Sequence, residues 1–260
     1  MSEARVTASQ DGAVGIIELN HPKANSYDLH FMQDLDAAVD SVLANDAIKV
    51  VVMRSALEKF FSAGADIKAF QANSTEANMK MIRFAHNTLR KMGTSQKIFI
   101  ASINGHALGG GFEMALACDL RFAAEGEYRM GLPEVTLGLL PGNGGTQRLP
   151  RLIGATRALE MMITGKVIKP EQALEIGMVN GLFPAEDLQR NVLEYARRIA
   201  NSATLAIGRI KQCVMEGMDL PLDEALTLER DLMEPLFDTE DAKEGIGAFA
   251  EKRQATFTGR

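Results

Sequence analysis

Short apolar runs alternate with stretches of helical period through the first half of the chain. Val14–Leu19, Val50–Arg54, Ile98–Ile103 and Leu120–Ala124 are compact, largely apolar segments of strand length. Between the first two, Leu29, Met32, Leu35, Val39 and Val42 recur at three- and four-residue spacing, which predicts an amphipathic helix over 28–44. Ser74 or Thr75 offers an N-cap for a second helix that runs to about Met92, with Gly93 as its stop. Strands separated by helices require crossover connections, so the pattern predicts an α/β fold with mainly parallel pairing.

The pattern changes near Glu186. Segments 186–200, 203–216, 222–236 and 239–253 all read as helices, punctuated by Gly217, Pro221 and Pro235. No Ser/Gly-rich tether separates them from what precedes. The expected organisation is a core over 1–195 and a helical region over 196–260 that packs on the core and on neighbouring subunits. The apolar face of the last helix, with Ile246, Phe249 and Ala250, suits either contact.

Composition narrows the function. The 260 residues carry a formal net charge of -6, which argues against a general nucleic-acid binder. The two cysteines, Cys118 and Cys213, form no CxxC pair, and the four histidines show no metal-ligand spacing. No apolar run reaches membrane-spanning length, and the first residues read as neither a secretory signal nor a transit peptide. The expectation is a cytoplasmic protein with no metal, no membrane partner and no nucleic-acid partner.

Three segments depart from what packing alone demands. In Phe60–Ile67 (FFSAGADI), Gly64 permits backbone angles that can leave the Ala65 N–H unpaired and facing a ligand. The same residues also read as a strand-to-helix turn capped by Asp66. In Asn104–Asp119 (NGHALGGGFEMALACD), three glycines open an apolar helix, whose free N–H groups and dipole favour negative charge. Glu113 lies one turn beyond Gly110 on the same face; the alternative is close helix packing with Glu113 as a dipole partner. In Met130–Arg148, Glu134 follows Pro133 among apolar residues, in a stretch too rich in Gly and Pro for a regular element. Desolvation there would raise its pKa. Two carboxyls in separate apolar settings are the minimum for paired acid–base chemistry. His106 reads as a packed, hydrogen-bonded histidine.

These three segments resemble the signature blocks of the enoyl-CoA hydratase/isomerase (crotonase) family, and the likeness runs from His21–Asp28 (HPKANSYD) to Gly245–Arg253 (GIGAFAEKR). The resemblance implies a spiral of ββα turns followed by a C-terminal helical region, assembled as a homotrimer or a dimer of trimers. It implies an oxyanion hole from the N–H groups of Ala65 and Gly110, with Glu113 and Glu134 as the catalytic pair. Glu113 would take the proton of the attacking water and Glu134 would protonate C2. Lys23, Ala24, Ala63, Gly64, Asp66 and Ile67 would lie along the substrate's coenzyme A moiety, approached from a neighbouring subunit by Phe249 and Lys252. Coenzyme A belongs to the substrate, so no separate cofactor is implied.

The implied reaction is hydration of a 2-enoyl-CoA, of the kind used in fatty-acid β-oxidation. Enoyl-CoA isomerisation or hydration of a cyclic dienoyl-CoA are the alternatives on this scaffold. The presence of both glutamates favours hydration, because isomerases of the family typically keep only one. RNA binding, known for one branch, ranks below these: the 75–92 segment carries only Lys80, Arg83, Arg90 and Lys91. One departure concerns the acyl end. Many relatives carry Asn-Ala-Leu where this chain has Asn25-Ser-Tyr-Asp28, which places polar and aromatic groups beside the expected acyl channel.

Overall fold

The computed structural model describes residues 4–260. The chain begins with a hairpin, β1 (Val6–Asp11) and β2 (Val14–Leu19), followed by α1 (Leu29–Ala44). Next come β3 (Val50–Ser55), β4 (Phe60–Ser62), α2 (Ile67–Ala72) and α3 (Thr75–Thr94). The motif then repeats as β5 (Ile98–Ile103), β6 (His106–Leu108) and α4 (Gly110–Ala117), and begins once more with β7 (Leu120–Ala124) and β8 (Met130–Gly131). A 3-10 turn at Glu134–Leu137, three helices α5 (Gly145–Ile153), α6 (Ala155–Thr164) and α7 (Pro170–Glu175), and β9 (Gly181–Phe183) complete the core connections. The chain ends in α8 (Leu188–Ala200), α9 (Thr204–Gly217), α10 (Leu222–Met233), a second 3-10 turn and α11 (Glu240–Glu251).

The strands form two sheets. A six-stranded sheet has the order β1-β2-β3-β5-β7-β9, and a three-stranded sheet the order β4-β6-β8. Among these strand pairs only β1 with β2 is antiparallel. Each turn of chain therefore lays one strand on the large sheet, one on the small sheet, and then crosses back. This is the α/β fold with mainly parallel pairing expected from the alternation, and the spiral that the family resemblance implies.

The large sheet is apolar on both faces. Val50, Val51, Val52 and Met53 are fully buried, as are Phe99, Ile100 and Ala101. One face is covered by α8, which packs on β2, β3, β5 and β7 through a stripe that includes Leu188, Val192 and Ala196. The division expected at 195/196 thus falls inside a core helix. Physically, the core runs through Ala200, because α8 supplies a layer that the sheet cannot lack.

Local predictions hold with two corrections. Asp28 caps α1 by accepting from the Phe31 N–H, and Ser74 caps α3 by accepting from Ala77. Gly93 does not end α3; the helix continues to Thr94 and closes at Ser95, whose N–H donates to the Lys91 carbonyl. The predicted helix 222–236 ends at Met233 and becomes a 3-10 turn containing Pro235, which lacks the N–H that an α-helical continuation would use. No helix among the described residues is long and apolar enough to cross a membrane.

One buried ion pair anchors the helix that carries Glu113. Lys211 of α9 donates to the carbonyls of Met92 and Lys97, both at 2.9 Å, and to Asp119 at 2.8 Å. Asp119 also accepts from the Phe99 N–H at 2.7 Å, just beyond the end of α4. All three Lys211 donors are occupied, which offsets the desolvation of its charge.

Candidate active site

The FFSAGADI segment leaves β4 and turns sharply at Gly64, where φ is +90°. A Cβ at that position would lie 2.7 Å from the Leu108 carbonyl oxygen and 3.2 Å from the Gly110 nitrogen. Only glycine permits this approach, and it brings the peptide after Gly64 beside the start of α4. Neighbouring bonds then fix the orientation. Tyr27 N–H donates to the Gly64 carbonyl at 2.9 Å, and Asp66 N–H donates to the Tyr27 carbonyl at 2.8 Å. The intervening Ala65 N–H donates to no protein group among the described residues. Asp66 also caps α2 through Lys68 and Ala69, so both readings of this segment apply at once.

The Gly110 N–H opens α4 and likewise has no protein acceptor, while the N–H groups of Phe112 and Glu113 return to the Gly109 carbonyl. A Cβ on Gly110 would overlap the Tyr27 hydroxyl, and one on Gly111 would overlap the Ser62 carbonyl. The glycine run thus serves close packing by the protein itself. It also leaves the Gly110 amide free next to Ala65.

Glu113 is 1% exposed. Its Oε1 accepts two backbone N–H bonds, from Asn143 and Gly145, each at 2.7 Å. Burial raises its pKa; the Gly145 and Asn143 amides, and the charges of Arg148 and His86, partly pull it back. Glu134 begins the 3-10 turn, a short regular element within a segment expected to have none. Its Oε1 lies where a Cβ on Gly109 would come within 3.0 Å, so the carboxyl rests against the peptide preceding Gly110. Its Oε2 is buried without a partner. Burial pushes the Glu134 carboxyl up to about 7, and the charge of Glu113 adds to the rise.

The two carboxyls therefore differ in kind. Glu113 has donors and cations that favour its anion; Glu134 has a bare oxygen and a nearby negative charge that favour its acid form. The settings of the two favour the anion at Glu113 and hold the Glu134 carboxyl in its acid form to higher pH than an ordinary glutamate. Two free amides beside such a pair can hold a developing oxyanion while one carboxylate accepts a proton and the other carboxyl donates one.

The other predicted residues divide into two sets. Ala63 N–H donates to the Ala24 carbonyl at 2.9 Å, which places Lys23 and Ala24 beside Ala63, Gly64, Asp66 and Ile67 on one continuous edge. Lys23 and Ile67 are exposed there. Asn25 secures this edge: fully buried, it donates to Ser55 Oγ and the Phe61 carbonyl and accepts from the His21 N–H. Phe249 and Lys252 are not brought to this edge by any contact described within the chain. Phe249 is 88% exposed, and Lys252 forms the exposed C-cap of α11. His106 accepts from the Arg129 N–H at 3.2 Å and stacks near Phe60, so it is a packing residue.

Two residues emerge that the motif reading left without a role. Tyr27 is 3% exposed and Asn143 4%, and the Asn143 side-chain amide donates to the Tyr27 hydroxyl at 2.6 Å. The polar replacement at Asn25-Ser-Tyr-Asp28 was the available signal for Tyr27. Nothing in the turn Pro141–Gly145 signals that Asn143 would meet it.

Comparison with known proteins identifies the family. Residues 9–260 match the enoyl-CoA hydratase/isomerase family. Crotonyl-CoA hydratase of Syntrophomonas wolfei is 36% identical, with 99% of both chains covered. Short-chain-enoyl-CoA hydratase of Clostridium acetobutylicum is also 36% identical, over 96% of this chain and 95% of its own. A crystal structure of an enoyl-CoA hydratase from Geobacillus kaustophilus HTA426 superposes with a TM-score of 0.97 at 46% identity, covering 100% of this chain and 98% of that one. From Gly64 to Glu134, the described geometry and these likenesses lead to one statement: the chain belongs to the enoyl-CoA hydratase/isomerase family.

Proposed function

We propose that this protein is an enoyl-CoA hydratase, a hydro-lyase that adds water across the 2,3 double bond of a 2-enoyl-CoA to give a 3-hydroxyacyl-CoA. The observation that carries the reading is a pair of carboxyls, Glu113 buried and Glu134 half-buried, with opposite electrostatic settings beside two unpartnered amides. The Ala65 and Gly110 N–H groups hold the thioester oxygen as conjugate addition turns it into an enolate. Glu113, as the anion, takes one proton from the water whose oxygen bonds to C3. Glu134, as the acid, gives its proton to C2. Water is thereby added in full, and the cycle closes when Glu113 releases its proton and Glu134 regains one, directly or through solvent. A single carboxyl would suffice to shift a double bond; two in opposite protonation states favour hydration.

The coenzyme moiety lies along Lys23, Ala24, Ala63, Asp66 and Ile67. Phe249 and Lys252 approach its phosphates from a neighbouring subunit in a homotrimer or dimer of trimers. Support for assembly is the apolar surface of the C-terminal helices, where Ile210, Val214, Leu222, Phe237, Ile246 and Phe249 are exposed. Light scattering should report a multiple of the 28.3 kDa chain, and a monomer at micromolar concentration would refute this arrangement.

Purified protein should consume crotonyl-CoA, with loss of the conjugated thioester absorbance, and give a product heavier by one water. Conversion of a 3-enoyl-CoA to the 2-enoyl isomer with no hydration of crotonyl-CoA would overturn the reading in favour of an isomerase.

A further inference from the structure

Tyr27 meets both amide-bearing segments directly and reaches the turn that holds Glu113 through Asn143. Its backbone brackets Ala65: the N–H reaches the Gly64 carbonyl, and the carbonyl receives the Asp66 N–H. Its ring fills the space that a side chain on Gly110 would occupy. Its hydroxyl oxygen accepts from the Asn143 side chain. Asn143 in turn gives its backbone N–H to Glu113, and its carbonyl accepts from Arg148 at 2.9 Å. Tyr27 and Asn143 are 116 residues apart in sequence, so the bond ties two loops distant along the chain.

The side chain is also built to remain a neutral phenol. Burial raises its pKa well above the ordinary value, and the charges of Glu113 and Glu134 raise it further. The Asn143 side-chain amide and the Tyr27 hydroxyl are each other's only side-chain hydrogen-bond partners among the described residues.

We propose that Tyr27 is a positioning residue that couples the oxyanion hole to the general base, with Asn143 as the relay between its hydroxyl and the turn that holds Glu113. The inference rests on the hydratase reading above. Addition requires the thioester oxygen, C3 and the water to be registered to within fractions of an ångström. Gly110 and Glu113 share α4, so their spacing is fixed by the helix. Ala65 and the turn that orients the Glu113 carboxylate belong to separate loops, and the Tyr27–Asn143 bond is a direct tie between them.

The test is a double-mutant cycle on crotonyl-CoA with Tyr27→Phe, Asn143→Ala and the pair. Tyr27→Phe keeps the ring and every backbone bond; Asn143→Ala keeps the N–H to Glu113. Each single variant should lose about tenfold in kcat with KM within about twofold, the scale of one hydrogen bond expressed at the transition state. The double variant should be no worse than either single one, since both remove the same link. Thermal unfolding of all three should remain a single transition at a similar midpoint. Unchanged kcat in Tyr27→Phe, multiplicative losses in the double variant, or a loss carried by KM alone would overturn the proposal. Wild-type turnover accompanied by any of those results refutes the coupling only. Absence of wild-type turnover refutes the hydratase reading, and the coupling with it.

Discussion

Glu113→Gln should lower kcat for crotonyl-CoA hydration by about 10²-fold or more, and Glu134→Gln should do the same, the usual scale for loss of a general base or acid. Both substitutions are close to isosteric. A glutamine oxygen at position 113 can still accept from the Asn143 and Gly145 N–H groups, so the turn stays in place and the loss is chemical. At 134 the amide replaces a carboxyl whose Oε2 has no protein partner, so exchanging that oxygen breaks no bond to a neighbouring residue. Initial rates at saturating crotonyl-CoA, with circular dichroism as a folding control, measure both effects.

The pH profile follows from the same pair. The proposed mechanism uses Glu113 as the anion and Glu134 as the acid. Because the Glu134 carboxyl is raised to about 7, kcat/KM should decline as pH rises through that value and the proton departs. It should decline again at lower pH, as Glu113 takes up a proton. The residual activity of Glu134→Gln should lack the alkaline decline, because the group responsible is gone. A Glu134→Gln profile that still fell near pH 7 would move the acid's role to another residue.

Gly64→Ala is expected to cost about 10²- to 10³-fold in kcat, the range seen when an oxyanion donor is lost. Two causes act together. The residue sits at φ +90°, which side-chain-bearing residues rarely adopt, and its new Cβ would meet the Leu108 carbonyl and crowd the Gly110 nitrogen. Relief requires the two amide-bearing loops to part, which dismantles the hole. Gly154→Ala supplies the control: φ there is +87°, yet nothing lies within 4 Å of its would-be Cβ. That variant should show comparable backbone strain with near-normal kcat. Equal activity losses in the two would mean that strain, not displacement of the amides, is responsible.

Much of the fold was legible because the large-sheet strands are contiguous apolar runs buried on both faces, as Val50–Met53 illustrates. The small sheet was not. Its strands span only two or three residues each and lie inside glycine-rich motifs, where no periodicity can develop. β1 escapes for a different reason: Val6–Asp11 is an edge strand whose only buried residue is Val6, held by backbone pairing with β2. Gly93 misleads because it stands in open space and adopts an ordinary helical conformation.

The site divides in the same way. Glu113 and Glu134 announce themselves as lone acids in apolar surroundings, and the glycines announce sharp approaches of backbone to backbone. Which charge state each acid prefers depends on donors from distant segments, Asn143 and Gly145 for one and none for the other's Oε2, and no local pattern encodes that. The Tyr27–Asn143 bond is a tertiary fact of the same sort.

The amide pair itself is open to direct observation with a 3-oxoacyl-CoA, a stable thioester that can bind as its enolate. Enolate formation gives a new ultraviolet band and requires donors at the thioester oxygen but no water addition. Titration of acetoacetyl-CoA into the wild type and into Glu134→Gln at neutral pH should produce the band, and Gly64→Ala should not. A band of equal intensity in Gly64→Ala, or none in the folded wild type at saturation, would contradict an oxyanion hole built from Ala65 and Gly110.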